Sequence, residues 1–534
     1  MGPATAGGLN IYAADDNNGA AFGSSDLLVV LDHQTGGKLK VGFAALVGTV
    51  IAIVAATALW TSWLVWQRRQ NMISKKSDDA AAGNIKMKTK APLPPGSCGL
   101  PFLGESLEFL SASRANRSLE FYKVRIAKYG EIFKTHLLFC LSISLGAPEG
   151  NKFLFANENK LVQNSWPPSV VKLLGRHSLA TKTGEEHKKV RRIFASFFGP
   201  DGLQSFVPRM DRTVRSHLDQ FWENKEEVMG VETVKQFTFS LVSDLFLSIK
   251  DGPEFHSMAH DIELYLGGIM QLPLDFPGTN YHKARLARES LLQTLGTIIS
   301  RRHKAIKEGQ DCGHHDLLSV LMNRPHNQGD LITDEEIKDN IVLFLFAGHD
   351  TSSITLAAIL KYLSLNPHCL HEVVKEQEEI AKVKAGAPLN WEDTRKMKYT
   401  LWVTQETLRL QPPVQTAFRE ALQEFEYEGF RIPKGCKVFW SVWRSHMLPE
   451  IFPNPTKFDP SRFEQAPPPF TFVPFGGGPH TCIGNEFAKT EIMVFLHYLV
   501  LNYEWSVVHP NEKISYDPMP IFEKGLPLRV RKKA

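Results

Sequence analysis

The amino-acid sequence predicts a mainly α-helical fold with a small β subdomain, preceded by a single membrane-spanning helix. Three observations predict this class. Helical periodicity dominates the middle of the chain, an alternating segment at residues 425–432 has the pattern of a β-hairpin, and a charge-free apolar run lies near the N-terminus. With 43% hydrophobic and 22% charged residues, the 534-residue chain has the composition of a globular protein rather than of a disordered one.

Charge and cysteine content exclude several classes of protein. The chain carries 61 basic and 57 acidic residues, a formal net charge of +4, which is too balanced for a protein that binds nucleic acid through charge. Its six cysteines are far apart and include no Cys-x-x-Cys pair, so neither a disulfide scaffold nor a multi-cysteine zinc site is expected. They are Cys98, Cys140, Cys312, Cys369, Cys436 and Cys482.

Residues 41–66 form the predicted membrane span. These 26 residues contain no charge and end in Trp60, Trp63 and Trp66. At about 1.5 Å per residue they are long enough to cross a hydrocarbon core of roughly 30 Å, and tryptophan is typical of the membrane interface. A buried core helix is rarely so long and free of charge, and a cleaved signal peptide would be shorter and nearer the N-terminus.

Flanking charge sets the predicted orientation of this span. Seven basic residues follow it within residues 67–90, whereas residues 1–40 contain two lysines, four aspartates and no arginine. Positive charge stays on the cytoplasmic side, so residues 1–40 are expected in the lumen and the body in the cytosol. A transit peptide would be rich in arginine, which leaves the endoplasmic reticulum as the membrane. A basic and proline-rich linker, residues 67–95, then leads to a body of residues 96–534.

Local signals predict two helices and the hairpin in the body. Thr333 and Glu336 have the spacing of a capping box, which begins a helix that runs to about Leu365, where Asn-Pro ends it. Residues 402–410 form a second predicted helix, closed by Gln-Pro-Pro. Residues 425–432 alternate and are followed by Pro-Lys-Gly, which predicts the hairpin.

The strongest chemical signal is a glycine-rich segment that ends in a cysteine. It has the form Phe-x-x-Gly-x-x-x-Cys-x-Gly, filled by Phe475, Gly478, Cys482 and Gly484. Consecutive glycines let the backbone pass close to a large flat group, and a helix that begins after Cys482 would favour a thiolate. Such a thiolate is the axial ligand that haem iron requires for O–O cleavage. A phosphate-binding loop is excluded because no Gly-Lys-Ser/Thr follows the glycines, and the ordered spacing disfavours an inert buried cysteine.

Two further segments carry polar side chains at helical spacing. Gly348 lies midway along the long predicted helix, where glycine is costly. Thr351 is placed to bond the carbonyl of Ala347 one turn back and so to open a slot in the helix. Glu406 and Arg409 stand three residues apart, on one helix face. The alternatives are a kinked core helix for the first segment and an ordinary surface ion pair for the second.

From about residue 92 to the C-terminus, the sequence resembles the cytochrome P450 family of haem-thiolate monooxygenases, with four motifs in the family's order. The late part of the chain is similar to the plant clan that oxidises triterpenoids, taxane-type diterpenoids and steroid hormones. The segments that carry this similarity are Met397-Lys-Tyr-Thr, Phe418-Arg-Glu-Ala, Tyr427-Glu-Gly-Phe, Ile432-Pro-Lys-Gly and Asp517-Pro-Met-Pro. The resemblance implies the cytochrome P450 fold, with haem b bound through Cys482.

The resemblance also implies roles for the other motifs. Asp350 and Thr351 match the family's acid–alcohol pair, which supplies protons as dioxygen is reduced, and the small Gly348 is expected to lie against a haem face. A buried triad is expected to hold the cysteine loop in place. Its members are Glu406, Arg409 and Arg462.

Cations are expected around the haem propionates. By the family's pattern these groups are His187, Arg191, Arg419 and His480, with Phe475 beside the macrocycle. Two positions depart from that pattern, because histidine replaces the common tryptophan at 187 and the usual arginine at 480. An imidazole still donates a hydrogen bond, but it titrates near neutrality, so its charge is not permanent.

The expected function is the oxidation of a hydrophobic isoprenoid with O₂, a triterpenoid first, then a taxane-like diterpenoid or a steroid. No flavin or nicotinamide fingerprint is visible in the sequence, so electrons are expected from a separate NADPH-dependent flavoprotein reductase. Two alternatives are a haem-thiolate isomerase or dehydratase that does not use O₂, and a non-catalytic haem- or lipid-binding membrane protein. The Asp350–Thr351 pair disfavours both.

Overall fold

The computed structural model describes residues 91–100, 103–309, 316–322 and 332–533. The predicted lumenal tail, the membrane span and the linker as far as residue 90 lie outside the described residues. The proline-rich segment that follows belongs to the folded body, because the carbonyls of Pro92 and Pro95 accept hydrogen bonds from the backbone N–H groups of Arg431 and Lys134. The body therefore includes residues 91–95, which the sequence analysis assigned to the linker.

Helices make up most of the body, as the sequence predicts. In chain order they are α1 (Ser106–Arg114), α2 (Ser118–Tyr129), α3 (Glu149–Ala156), α4 (Pro168–Leu174), α5 (Gly184–Phe198), α6 (Pro200–Phe221), α7 (Gly230–Leu247), α8 (Pro253–Leu266), α9 (Asn280–Lys307), α10 (Leu317–Met322), α11 (Asp334–Leu365), α12 (Pro367–Lys384), α13 (Trp391–Thr394), α14 (Lys398–Leu410), α15 (Val442–His446) and α16 (Asn485–Asn502). Two short 3₁₀ turns, Pro460–Phe463 and Gly478–His480, precede α16.

The strands are short and form small sheets. They are β1 (Phe133–Leu137), β2 (Cys140–Ser144), β3 (Val162–Asn164), β4 (Glu227–Met229), β5 (Thr416–Ala421), β6 (Phe425–Tyr427), β7 (Phe430–Ile432), β8 (Lys437–Ser441), β9 (Tyr503–Val507), β10 (Ile514–Tyr516), β11 (Pro520–Phe522) and β12 (Pro527–Lys532). One five-stranded sheet has the order β1-β2-β8-β5-β3, in which β8 runs parallel to β2 and antiparallel to β5. The predicted hairpin is the antiparallel pair β6–β7.

Helix α11 crosses the core. Its predicted capping box is present, because the Glu336 N–H donates to Thr333 Oγ1 at 3.2 Å and the Thr333 N–H donates to the Glu336 carboxylate at 2.9 Å. Among the described residues, α11 is long and apolar enough to cross a membrane, but 78% of its most apolar stretch is buried inside the protein. It is therefore a core helix, and it packs most extensively against α7.

Within the described residues, three apolar cores hold these elements together, and two of them bear on the site. In the larger one, Phe237 of α7 and Phe495 of α16 have no exposed surface and their ring centroids lie 4.8 Å apart. Burying a side chain of this size stabilises the fold by roughly 1.5–3 kcal/mol. A smaller core joins Phe155 of α3 to Val438 of β8 and to Val473, which lies on the segment before the cysteine loop. This smaller core brings α3, the five-stranded sheet and the cysteine loop together.

Helix α14 begins at Lys398, four residues earlier than the sequence predicts. The reason is a cap supplied by another helix: the Glu376 carboxylate of α12 accepts hydrogen bonds from the backbone N–H groups of Tyr399 at 2.6 Å and Thr400 at 3.0 Å. A carboxylate at a helix N-terminus satisfies donors that otherwise have no partner. The extra turn matters for the site because α14 carries Glu406 and Arg409.

Candidate active site

The cysteine segment forms a closed loop that leads into α16. The backbone N–H of Cys482 donates to the carbonyl of Phe475 at 2.9 Å, and α16 begins three residues later at Asn485. The Cys482 side chain is solvent-accessible. The thiol is enclosed by the surrounding protein as well, so it is open to a group bound inside the protein rather than to bulk solvent.

Two different structural constraints explain why this loop contains three consecutive glycines. Gly476 and Gly478 have φ angles of +72° and +69°, in the left-handed region that favours glycine. At Gly477, a Cβ would lie 2.3 Å from the ring of Phe155 on α3, far inside van der Waals contact. The sequence predicts that the glycines let the backbone pass close to a flat ligand. At Gly477, the group that the backbone passes closely is the Phe155 ring of α3.

The pKa of the Cys482 thiol corrects one expectation from the sequence. Desolvation by the surrounding protein raises this pKa, and the backbone N–H of Gly484 and the guanidinium of Arg191 lower it by less. Gly484 is the N-cap of α16, so the start of this helix favours the thiolate, but by less than desolvation disfavours it. A metal ion on the sulfur would supply the missing positive charge, since a coordinated thiol is deprotonated.

The middle of α11 borders an internal cleft. Most of this helix is buried on both sides of its centre, whereas Phe346, Ala347, Gly348 and Thr351 are half-buried. Accessible surface in the middle of a core helix indicates a cavity beside it. The Thr351 hydroxyl donates to the carbonyl of Ala347 at 2.7 Å, as predicted, so this hydroxyl is held at the border of the cleft.

Packing against α7 explains the presence of glycine at position 348. A Cβ at this position would lie 3.2 Å from Val242 Cγ1 and 3.9 Å from the ring of Phe246, both on α7. The glycine therefore lets α7 and α11 approach closely. Its predicted contact with haem stays a prediction.

Asp350 is directed towards α7. Its carboxylate lies 3.5 Å from Lys235 Nζ, and its side chain is 8% exposed. Burial raises the pKa of Asp350, and Lys235 lowers it by less. Raising the pKa brings this carboxyl closer to the range in which a group exchanges protons at neutral pH. An open groove bordered by Lys235, Glu263 and His349 leads from the surface to this pair.

Aromatic packing joins α11 to the cysteine helix α16. Phe198 of α5 contacts Phe344 of α11 and Phe487 of α16, with ring centroids 5.2 and 6.2 Å apart. Beyond the cleft, Ser352 of α11 lies beside the buried carboxyl of Glu491 on α16. The half-buried stretch of α11 and the cysteine loop are thus held on two helices that pack together.

The structure brings the predicted triad together. Arg409 donates to both carboxylate oxygens of Glu406, at 2.7 and 2.8 Å, and neither side chain has exposed surface. Arg462 is the looser member, with Nε 3.5 Å from Glu406. The remaining donors of Arg409 bind backbone carbonyls of the segment that leads towards the cysteine loop, namely those of His446, Pro455 and Lys457. A two-pronged pair of this kind fixes geometry as well as charge.

His446 also holds the cysteine loop, and the sequence analysis missed it. Its Nε2 accepts the backbone N–H of Val473 at 2.9 Å, and its Nδ1 lies 3.3 Å from the carbonyl of Arg409. Burial lowers the pKa of His446 to about 3, so the ring is neutral and has one donor and one acceptor, which matches these two contacts. No local pattern signals this role, because Val473 is 27 residues away.

Two of the predicted cofactor contacts stack on each other. The rings of His187 and His480 lie 3.7 Å apart between centroids, at an interplanar angle of 24°. Burial, together with the nearby His480 and Arg191, lowers the pKa of His187 to about 4. His187 therefore offers a neutral donor rather than a charge. Arg191 lies along the cysteine loop, where it donates to the carbonyl of Thr481 at 2.7 Å.

Arg419 and His480 meet at a carboxylate for which the sequence predicts no role. Glu158 Oε1 lies 3.0 Å from Arg419 Nε and 2.6 Å from His480 Nδ1. Arg419 comes from β5 and His480 from the cysteine loop, so Glu158 bridges two elements of the site. All three side chains are less than 10% exposed.

These residues fit haem b. Within the described part of the chain, His187 Nδ1 is buried without a hydrogen-bond partner, so it is available to a ligand. Two guanidinium groups, the half-buried Arg191 and the buried Arg419, lie close to the cysteine loop and suit the carboxylates of haem. The accessible sulfur of Cys482 suits its iron.

A glycine-rich loop that presents a cysteine next to guanidinium groups suited to the haem carboxylates defines the class of haem-thiolate enzymes. The family model of cytochrome P450 matches residues 94–527. The chain belongs to the cytochrome P450 family, and as a member it is a monooxygenase that uses haem b.

Relatives and solved structures agree with this assignment. A protein named beta-amyrin 28-monooxygenase from Solanum lycopersicum is 44% identical over 448 residues, which are 83% of this chain and 94% of that protein. Cytochrome P450 716A75 from Maesa lanceolata is 43% identical over 447 residues, 83% of this chain and 91% of that one. The solved structure of retinoic acid bound cyanobacterial CYP120A1 has a TM-score of 0.74 and 34% identity, and covers 83% of this chain and 100% of its own. The predicted P450 fold is confirmed.

Proposed function

We propose that this monooxygenase oxidises a triterpenoid of the β-amyrin type, with carbon 28 as the position attacked. The similarity to the Solanum beta-amyrin 28-monooxygenase, over nearly the full length of that protein, supports this substrate. A taxane-like diterpenoid or a steroid is the second choice, because the sequence also resembles the clan that oxidises those compounds.

The observation that carries the proposal is the half-buried, apolar stretch of α11 beside the cleft. Phe346 and Ala347 offer an uncharged wall to a hydrophobic substrate, which keeps water out and orients one C–H bond. When bound, haem b supplies the activation of dioxygen. Cys482 holds its iron. The Thr351 hydroxyl and the Asp350 carboxyl hold and move the protons that this activation consumes.

The rim of the cleft is proposed to hold the haem carboxylates. Arg191 is a half-buried and Arg419 a buried guanidinium group, and His187 has a buried ring nitrogen without a protein partner among the described residues. These features support a contact between this rim and two carboxylates. The proposed set of haem contacts is His187, Arg191, Arg419, His480, Phe475 and Gly348.

The proposal also includes the electron donor and the membrane in which the protein is anchored. Since the sequence contains no flavin or nicotinamide fingerprint, electrons are proposed to come from a separate NADPH-dependent flavoprotein reductase. Residues 41–66 are proposed to anchor the chain in the endoplasmic reticulum membrane, with the body in the cytosol and residues 1–40 in the lumen.

The test uses microsomes from yeast that express the full chain together with a plant reductase. They are given β-amyrin, NADPH and oxygen labelled with the heavy isotope, and the product is characterised by mass spectrometry and NMR. The expected product is oxidised at carbon 28, carries one labelled oxygen per hydroxylation and requires NADPH. Microsomes with Cys482→Ser are the control and should form none.

Other outcomes of this experiment overturn specific parts of the proposal. A rearranged or dehydrated product without labelled oxygen would indicate a haem-thiolate isomerase or dehydratase. No NADPH consumption with any triterpenoid, diterpenoid or steroid would indicate a non-catalytic binding protein. Labelled products from a diterpenoid or a steroid, but none from triterpenoids, would show that the substrate class is wrong while the chemistry is right.

A further inference from the structure

Glu158 is a buried carboxylate just beyond α3, and it is not part of the roles proposed above. Its side chain has no exposed surface, and its two closest polar neighbours are the Arg419 guanidinium and the His480 ring. Desolvation opposes its ionisation, but the contacts with His480 and Arg419 outweigh this and lower the pKa of Glu158 below its ordinary value. An ionised carboxylate is therefore kept inside the protein, where it is stable only because it is paired.

The segment around Glu158 also touches the elements that carry the other proposed haem contacts. A Cβ at Gly478 of the cysteine loop would lie 2.8 Å from the carbonyl of Phe155 and 3.3 Å from the Glu158 carboxylate. The next residue, Asn159, accepts the backbone N–H of Gly184 at 3.0 Å, and Gly184 is the first residue of α5, which carries His187 and Arg191. Residues 155–159 thus connect the cysteine loop and α5, and through Glu158 they also reach β5.

We propose that Glu158 is a positioning residue of the haem site, which holds Arg419 and His480 at the separation needed to meet the haem carboxylates. This inference rests on the proposed haem contacts but not on the proposed substrate. Arg419 and His480 come from elements 61 residues apart in sequence, and a shared carboxylate fixes their distance before haem binds. It also offsets the positive charge of Arg419, so the site is organised in advance.

The test substitutes Glu158→Gln in the full-length holoprotein, which keeps the shape of the side chain and removes its charge. The first measurement is the rate at which haem is lost to an excess of apomyoglobin, and the second is the reduction potential of the haem. We expect haem loss to accelerate about tenfold, the effect of losing one charge-assisted hydrogen bond, and the potential to change. Neither readout involves substrate, so failure here is distinguishable from failure of the proposed function.

Three further variants separate positioning from general stability. Glu185→Gln removes the carboxylate of an exposed ion pair with Lys188 on α5 and should leave both readouts unchanged. Glu158→Asp keeps the charge and should lie between wild type and Glu158→Gln; it is also the variant to measure if Glu158→Gln does not fold. In a His480→Gln background, the effect of Glu158→Gln on haem loss should shrink, because one of its two partners is already absent.

Two results would overturn the inference. One is a Glu158→Gln protein that loses haem at the wild-type rate with an unchanged potential. The other is an equal acceleration of haem loss by Glu158→Gln in the wild-type and His480→Gln backgrounds, with Glu158→Asp no better than Glu158→Gln. The second result would show that Glu158 acts on overall stability and not through the cations of the haem rim.

Discussion

Lys235 of α7 is the ion-pair partner of Asp350 of α11, with its Nζ 3.5 Å from the carboxylate. The lysine is 32% exposed at the border of an open groove, whereas the aspartate is 8% exposed. The Asp350 carboxyl, which is proposed to supply protons, is therefore buried behind a partly exposed lysine. Since burial raises the pKa of Asp350 and Lys235 lowers it, the lysine influences how readily Asp350 releases its proton.

Replacing this lysine by a neutral residue should change the pH dependence of turnover. With Lys235→Met, the pKa of Asp350 rises further, so the pH at which the carboxyl ionises moves upward. A partly exposed pair is worth up to about 1 kcal/mol, so the pH profile of product formation should move upward by less than about one pH unit. The measurement is the pH profile of product formation. Lys250→Met, in the same groove, is the matched control, and identical shifts in both variants would contradict the account.

Asp350→Asn should separate stability from activity. The pKa of Asp350 in the folded protein is raised above its ordinary value, so the folded state binds this proton more tightly than the unfolded state does. The stability contributed by this group is therefore greatest below the unfolded pKa and declines as the pH rises towards the folded pKa. At pH 7 the ionisation of this buried carboxyl lowers the free energy of unfolding. A neutral asparagine removes this effect, so the melting temperature should stay the same or rise.

Turnover by Asp350→Asn should nevertheless fall by about 100-fold or more, the range lost when a proton-transfer group is removed. Calorimetry and product formation are to be measured on the same preparation. A variant that melts well below wild type would show that the ion pair with Lys235 is structural, and full turnover would show that Asp350 supplies no proton.

Thr351→Ala should uncouple electron consumption from product formation. The Thr351 hydroxyl, held on the carbonyl of Ala347 beside the cleft, is lost, and reducing equivalents should appear as hydrogen peroxide. The ratio of peroxide to product is the measurement. Thr355→Ala removes the same kind of bond one turn further along, where Thr355 donates to the carbonyl of Thr351 at 2.8 Å, and it should keep the wild-type ratio. Equal ratios in both variants would leave Thr351 with a structural role alone.

Arg409 and Arg462 should differ sharply when each is replaced by lysine. Lysine cannot reproduce the two-pronged contact of Arg409 with Glu406, and it leaves a buried carboxylate poorly paired, at a cost of about 3–5 kcal/mol. Arg462 lies 3.5 Å from Glu406, so Arg462→Lys should cost no more than about 1 kcal/mol. The fraction of expressed protein that contains haem measures both effects. Equal losses would contradict the unequal roles that the geometry gives these two residues.

Features set by neighbouring residues were predictable from the sequence. The capping box of Thr333 and Glu336 and the β6–β7 hairpin depend on residues a few positions apart, and the structure has both. The bond from Thr351 to Ala347 is predictable for the same reason, since it spans one helical turn. The cysteine loop was recognised because its glycines and cysteine form one continuous motif.

Features set by distant residues were not predictable. Lys235 is 115 residues from its partner Asp350, and Glu158 is 322 residues from His480. His446 is 27 residues from Val473. Each is an ordinary polar residue in its local sequence, and only tertiary packing gives it a role. The early start of α14 has the same origin, because its cap comes from α12.

The pKa of Cys482 shows a further limit of sequence reasoning. The sequence indicates that a helix follows the cysteine, but not that the sulfur is desolvated, which raises its pKa. Desolvation depends on tertiary packing around the sulfur, which the local sequence does not encode. The same packing explains Gly477, whose small size accommodates the ring of Phe155.

The central claim is that Cys482 is the ligand of the haem iron. The most direct measurement is the absorption spectrum of the reduced, carbon monoxide-bound protein, wild type against Cys482→Ser. The account predicts the strongly red-shifted Soret band of a thiolate-ligated haem in the wild type and its complete loss in the variant. Cys436→Ser, at a buried thiol outside the cysteine loop, should keep the band. A red-shifted band that survives Cys482→Ser would contradict the account.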